Sequence, residues 1–272
     1  ATQDALGQVN DLTQTFLSAL TADKGSGVAP TVTQNAAQSA LSSVTSILNS
    51  SVNGEYIFAG INTDVQPIDD FNASGSPAKQ ALDDSFQTYF GFAPTDPAAA
   101  NITASQMNDF IDNVVSPQFL GSGWDANWSK ATDQPITSRI SLNETAQTSV
   151  SANSVGVKKF MMAAAMVSEF LQGQISEGAR DALIDKASGL VTDSLTDSAS
   201  QQAQLRLTQN KVSGATDRIN SQVDLFQRNL QDLEGVDPYE ASTKITSLLN
   251  QIETSYSLTA RIQQLSLVNF LS

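Results

Sequence analysis

The chain has 272 residues, 40% of them hydrophobic, which is enough apolar surface for one large domain or two modest ones. Its formal net charge of -14 repels a phosphate backbone, so nucleic acid is excluded as a partner. Histidine and cysteine are both absent, which removes the commonest general base, the usual zinc ligands, the thiol nucleophile and any disulfide, and with them most enzyme designs.

From Asp4 to Leu20 the residues Leu6, Val9, Leu12, Phe16 and Leu20 recur every three or four positions and predict a helix with one apolar face. Gly25, Gly27 and Pro30 break it and return the chain in a turn. A second helix runs through Leu41, Val44 and Leu48. It stops near Asn53-Gly54, two residues that tolerate the left-handed geometry of a helix end or tight turn.

Composition then shifts toward Gly, Pro and aromatic residues, and residues 54–153 read as an inserted mixed α+β domain. Glu55 to Ala59 is a short strand candidate. Ser76-Pro77 opens a helix through Leu82 and Phe86, although Phe86, Phe90 and Phe92 could also line a strand. Thr103 to Gln106 has the form of a capping box ahead of Met107, Phe110, Ile111 and Val114. Ile136, Ser138, Ile140 and Leu142 alternate with polar neighbours as a half-buried strand does.

Helical periodicity returns from Ser154. Val157, Phe160, Ala164 and Leu171 mark one helix, and Leu183, Leu190 and Val191 another. The clearest stripe is Val212, Ala215, Ile219, Val223, Phe226, Leu230 and Leu233, a coiled-coil-like seam expected to pack against Leu41, Val44 and Leu48. Gly235 ends that helix, and Asp237-Pro238-Tyr239-Glu240 starts the last one, which carries Ile245, Leu249, Ile252 and Tyr256.

The expected fold is therefore mainly α with a mixed α+β insert. Residues 1–53 and 154–272 form a discontinuous, antiparallel long-helix rod, and 54–153 projects from it. No apolar run approaches the roughly 20 residues that span a bilayer, so membrane insertion is not expected. The first residues show no basic segment followed by an apolar stretch, so a cleavable secretion signal is not expected within them. With only 15% charged residues, the polar faces are built from Ser, Thr, Asn and Gln, a surface suited to extended contact with sister copies.

Chemistry-bearing residues have plainer readings. The pairs Asp69-Asp70 and Asp83-Asp84 fit no spaced oxygen-ligand loop and read as turns and helix starts. Asp237 and Glu240, in the densest acidic cluster, are explained by capping. Gly25-Ser26-Gly27 and Gly121-Ser122-Gly123 do not continue as phosphate-binding loops. Met161, Met162 and Met166, like Trp124 and Trp128, are assigned to packing. No catalytic, metal or cofactor residue is expected.

Two stretches carry a resemblance. Asn53-Gly54-Glu55-Tyr56-Ile57-Phe58-Ala59-Gly60-Ile61-Asn62-Thr63 resembles the segment by which junction proteins of the bacterial flagellin family leave their N-terminal helices. Tyr256 to Leu271 resembles the terminal helix of the flagellin family as a whole, with residues 257–272 as the assembly helix.

The resemblance implies an extracellular structural subunit of the bacterial flagellum, exported unfolded through the flagellar secretion apparatus with an export chaperone. It further implies partners in the other hook-associated junction protein, filament flagellin and sister subunits. Family members pair this tail with an N-terminal helix that precedes the equivalent of Ala1, so the tail is expected to lack its helical partner here. The assembly contacts it implies are Ile262, Leu265, Leu267, Val268, Phe270 and Leu271, apolar residues too crowded for a lone exposed helix.

Three other readings stand beside the junction subunit. A filament flagellin would share the same terminal helices. A cell-surface binding module would recognise a glycan or receptor through Trp124, Trp128 and Tyr89. A carbohydrate-cleaving enzyme would need two carboxylates across a cleft, to which nothing in the sequence points.

Overall fold

The computed structural model describes the backbone of residues 1–26, 29–171 and 174–270; the side chains of 25, 26 and 265–270 are outside the description. The chain divides into two compact units, Ala1–Ser213 and Gly214–Ser272. That division differs from the breaks at 54 and 153 suggested by composition.

The first unit opens with α1 (Thr2–Ser26) and α2 (Pro30–Leu48). α1 outlasts its apolar stripe, and Pro30 starts α2, where a missing N–H costs nothing; residues 27 and 28, within the expected Gly25 to Pro30 turn, lie outside the described residues. After α2 come β1 (Ser51–Val52) and β2 (Glu55–Tyr56), an antiparallel pair with Val52 opposite Glu55. Asn53 at φ 55° and Gly54 at φ 86° close it. Two consecutive positive φ angles make the two-residue hairpin turn whose twist matches the strands, so Asn53-Gly54 is a tight turn and not a helix end. The strand expected to reach Ala59 is shorter: β2 ends at Tyr56, and one further bond in the same register, from the Ile57 N–H to Ser50 O at 3.2 Å, lies beyond it.

Helix α3 (Pro77–Phe90) begins at Ser76, whose hydroxyl accepts the Lys79 N–H at 3.4 Å. Phe86 and Phe90 are thereby helical. α4 (Ala104–Phe110) has the expected capping box: Thr103 Oγ1 accepts the Gln106 N–H at 3.3 Å, and Gln106 Oε1 accepts the Thr103 N–H at 2.9 Å. A π turn, Ile111–Val115, leads into α5 (Ser116–Leu120), followed by α6 (Gly123–Asn127). β3 (Thr137–Ser141) and β4 (Glu144–Gln147) form a second antiparallel hairpin. Ile136, Ser138 and Ile140 are half-buried as the alternation predicts, but Leu142, at the hairpin turn, is 88% exposed.

Helix α7 (Val155–Phe170) is buried on every side from Phe160 onward. An all-round apolar sequence such as Phe160-Met161-Met162-Ala163-Ala164-Ala165-Met166-Val167 suits the middle of a core and no surface helix. One hydrophobic cluster gathers Leu6 and Phe16 of α1, Leu41 and Val44 of α2, Phe58, Phe86 of α3, Phe110 of α4, both tryptophans, α7, and Leu183, Ile184 and Val191 of the long helix that follows. Aromatic edges interlock within it, Phe16 on Phe160 at 5.9 Å and Phe86 on Phe110 at 5.5 Å.

That long helix, α8 (Glu177–Glu234), is continuous where the periodicity suggested separate segments, and it belongs to the first unit through Ser213 and to the second from Gly214. At the end of α1, buried Asp23 accepts two bonds from Arg180 of α8, at 3.1 and 3.3 Å, and the Thr33 hydroxyl of α2 at 3.0 Å.

In the second unit α8 ends at Glu234, and α9 (Pro238–Phe270) follows. Asp237 Oδ1 accepts the Tyr239 N–H at 2.8 Å, so the acceptor and the proline act as the sequence suggested. Glu240 pairs with Lys244 at 2.9 Å, one turn on. The fold is mainly helical, with long C-terminal helices and small antiparallel sheets.

Candidate assembly surface

The predicted seam on α8 is open. Val212 is 37% exposed, Ile219 47%, Val223 45%, Phe226 70%, Leu230 54% and Leu233 85%; Ala215 is the buried member. The stripe was expected to be a buried seam; Leu41, Val44 and Leu48, the partners expected for it, are fully buried within the first unit. Spacing of three and four identifies a face that gains by burial; it does not say whether the same chain supplies the cover.

The same holds along α9. Ile245, Leu249, Ile252 and Tyr256 follow spacings of four, three and four, and are between 48% and 73% exposed. Leu248, Leu258 and Ile262 are exposed too. Burying one such side chain is worth about 1.5–3 kcal/mol, so these faces hold a large reserve of association energy that the single chain leaves unused. Exposed apolar side chains repeated at helical spacing suit burial against a partner.

Of the tail residues expected to make assembly contacts, Ile262 is 58% exposed on α9. Leu265, Leu267, Val268 and Phe270 have side chains outside the description, and Leu271 lies outside the described residues. Leu207, Leu225 and Leu248, not singled out from the sequence, are also exposed, at 62%, 56% and 57%. They lie off the strict stripe, and their apolar character on otherwise polar helices was the available signal.

The segment Asn53 to Thr63 is held by its own bonds. Phe58 and Ala59 are fully buried, Ala152 donates its N–H to Phe58 O at 2.8 Å, and Thr132 donates to Ala59 O at 3.0 Å. Gly60 has φ 68°, and a Cβ there would lie 2.8 Å from Gln134 O and closer still to Thr132. The glycine is required by both its backbone and its neighbours.

The residues of the glycan-binding alternative do not form a binding face. Trp124 and Trp128 are 0% and 1% exposed and stack on each other at 5.9 Å, with Phe71 stacked on Trp128 at 5.1 Å. No sugar ring can reach them. Tyr89 donates its hydroxyl to Asp109, which holds the phenol proton and raises its dissociation above the ordinary range, with burial adding to the effect. Of the acidic pairs, Asp69 accepts from Lys130 at 2.7 Å and Asp70 caps the Asn72 N–H at 2.9 Å. Among the described residues no three acidic side chains are grouped to hold a metal ion, and no helix is long and apolar enough to cross a membrane.

No curated protein matches the chain. The segment carrying the open stripes is similar to a known family region: residues 189–271 match the family model described as the bacterial flagellin C-terminal helical region.

Proposed function

We propose that this protein is a structural subunit of the bacterial flagellum, located at the junction of hook and filament, with no catalytic role. The observation that carries the reading is the uncovered apolar face running along α8 and α9, within the segment similar to the flagellin C-terminal region. In an assembly those faces meet sister subunits, the other hook-associated protein and filament flagellin. The tail residues Ile262, Leu265, Leu267, Val268, Phe270 and Leu271 continue the contact, and an export chaperone shields it before the chain leaves through the export apparatus. The junction assignment is supported by the Asn53 to Thr63 segment, whose hairpin turn and buried Phe58-Ala59 form a fixed exit from α2 into residues 64–153.

A filament flagellin would use the same terminal helices, so copy number separates the two. Immunogold labelling of detached flagella with an antibody to this chain is expected to give one spot between hook and filament. Label along the whole fibre would make it a filament flagellin, and unlabelled flagella would remove the flagellar reading.

A further inference from the structure

One recess in the first unit plays no part in that assembly surface. α3 ends at Phe90, because Gly91 at φ 83° takes the left-handed conformation of a helix C-terminus and donates its N–H to Gln87 O at 2.8 Å. The reversal brings Phe92 beside Phe90, with ring centroids 6.0 Å apart. The Tyr89 ring lies 4.8 Å from that of Phe90 and is turned 77° to it, so the two meet as wall and floor. Fully buried Phe86 and Phe110 back the three rings: Phe86 meets Phe90 at 4.6 Å and Phe92 at 6.4 Å, and Phe110 meets Tyr89 at 5.3 Å and Phe90 at 5.2 Å. Tyr89 is 38% exposed, and Phe90 and Phe92 are half-buried.

These three rings line a recess of about 430 Å³ together with the amide side chains of Asn101 and Gln106. Among the described residues, none of those lining it is charged. Asp109 accepts the Tyr89 hydroxyl and, at 2.7 Å, the Asn113 amide, which fixes the phenol and sets a carboxylate beside it. Lys186, which reaches the next turn, is paired there with Asp112.

The face of an aromatic ring carries the negative part of its quadrupole and attracts a cation placed over it. An anion would meet ring faces and a carboxylate, both repulsive, on a chain of net charge -14. A bare metal ion needs a set of oxygen ligands, and among the described residues no three acidic side chains are grouped to supply one. A quaternary ammonium group suits the recess better, since it is weakly hydrated and has no N–H that must find an acceptor. All the lining residues fall between 89 and 106, which makes a local pocket and not an extended groove for a chain.

We propose that this recess binds a small molecule bearing a quaternary ammonium group, held over the Tyr89, Phe90 and Phe92 rings with the Asp109 carboxylate beside it. The proposal follows from the ring cluster alone and is independent of the flagellar reading.

Titration of the full chain with choline and with its uncharged tert-butyl analogue, followed by the proton NMR signals of the ligand methyl groups, tests it. Choline is expected to bind about tenfold more tightly than the analogue. Tyr89→Leu, which keeps apolar bulk but removes a ring face, is expected to abolish that preference. If that variant does not fold, Phe92→Leu takes its place. Equal binding of the two ligands would make the recess merely apolar and overturn the proposal, as would the absence of saturable choline binding or a preference unchanged in the folded variant. Tighter binding of a trimethyllysine amide than of choline would overturn the small-molecule ligand in favour of a partner's side chain.

Discussion

Asn153 Oδ1 accepts the indole N–H of Trp124 at 2.7 Å, and the same oxygen accepts the Ser129 hydroxyl at 2.5 Å. The Asn153 amide nitrogen donates in turn to Ala131 O at 2.9 Å and to Asp133 Oδ1 at 2.8 Å. One buried side chain thus ties α6, the following turn and the entrance to α7.

Replacing Asn153 with Leu leaves the Trp124 N–H buried without an acceptor. The expected cost is about 2–4 kcal/mol in denaturant unfolding, because an orphaned buried donor pays its full desolvation. Asn153→Asp keeps the acceptor but sets a carboxylate against Asp133, so it should also destabilise, and the loss should shrink on acidification. A variant as stable as the parent would show that the network contributes nothing.

The two glycines of the Asn53 to Thr63 segment should respond differently. Gly54→Ala meets no neighbour within 4 Å and is strained only by its φ of 86°, so about 1 kcal/mol is expected. Gly60→Ala combines a positive φ with a Cβ driven onto Thr132 and Gln134. At least 3 kcal/mol is expected there. Equal midpoints for the two variants in urea would contradict the close approach.

Much of this fold was legible because its signals are local. Thr103 with Gln106, Ser76 with Pro77, and Asp237 with Pro238 act within one helical turn, so their spacing alone gives the helix starts. The hairpin at Asn53-Gly54 is equally local, whereas the division of the chain at Ser213 is not. It depends on which apolar faces find a cover, and Val212 through Leu233 reads the same whether the cover comes from this chain or from another. The burial of Trp124 and Trp128 was expected as packing, but Asn153, which satisfies the Trp124 N–H, lies 29 positions away and gives no sequence signal of its role.

Phe226 and Phe160 make the contrast measurable. Phe160, fully buried in α7, should cost about 3–5 kcal/mol when cut to Ala. Phe226, 70% exposed, should change the unfolding midpoint of the isolated chain by no more than about 0.5 kcal/mol. A large loss at Phe226 would place the α8 stripe inside the monomer after all.

The last expectation joins the open faces to the proposed role. Leu249 and Ile252 are 54% and 48% exposed on α9, so Leu249→Asp with Ile252→Asp removes little that the isolated chain uses. Its thermal midpoint should stay near that of the parent, apart from the roughly 0.5 kcal/mol that each Asp costs inside a helix. In an assembly the same two positions would bring charge into an apolar contact, where an unpaired carboxylate is far more costly than any single lost contact. Cells carrying the double variant are therefore expected to make hooks and to release flagellin into the medium without building filaments, as seen by electron microscopy and by assay of the culture fluid. A stable monomer with normal filaments would show that α9 is not the assembly surface. An unstable monomer would show instead that α9 is covered within the chain. The two failures are distinguishable because stability and filament formation are measured separately on the same protein.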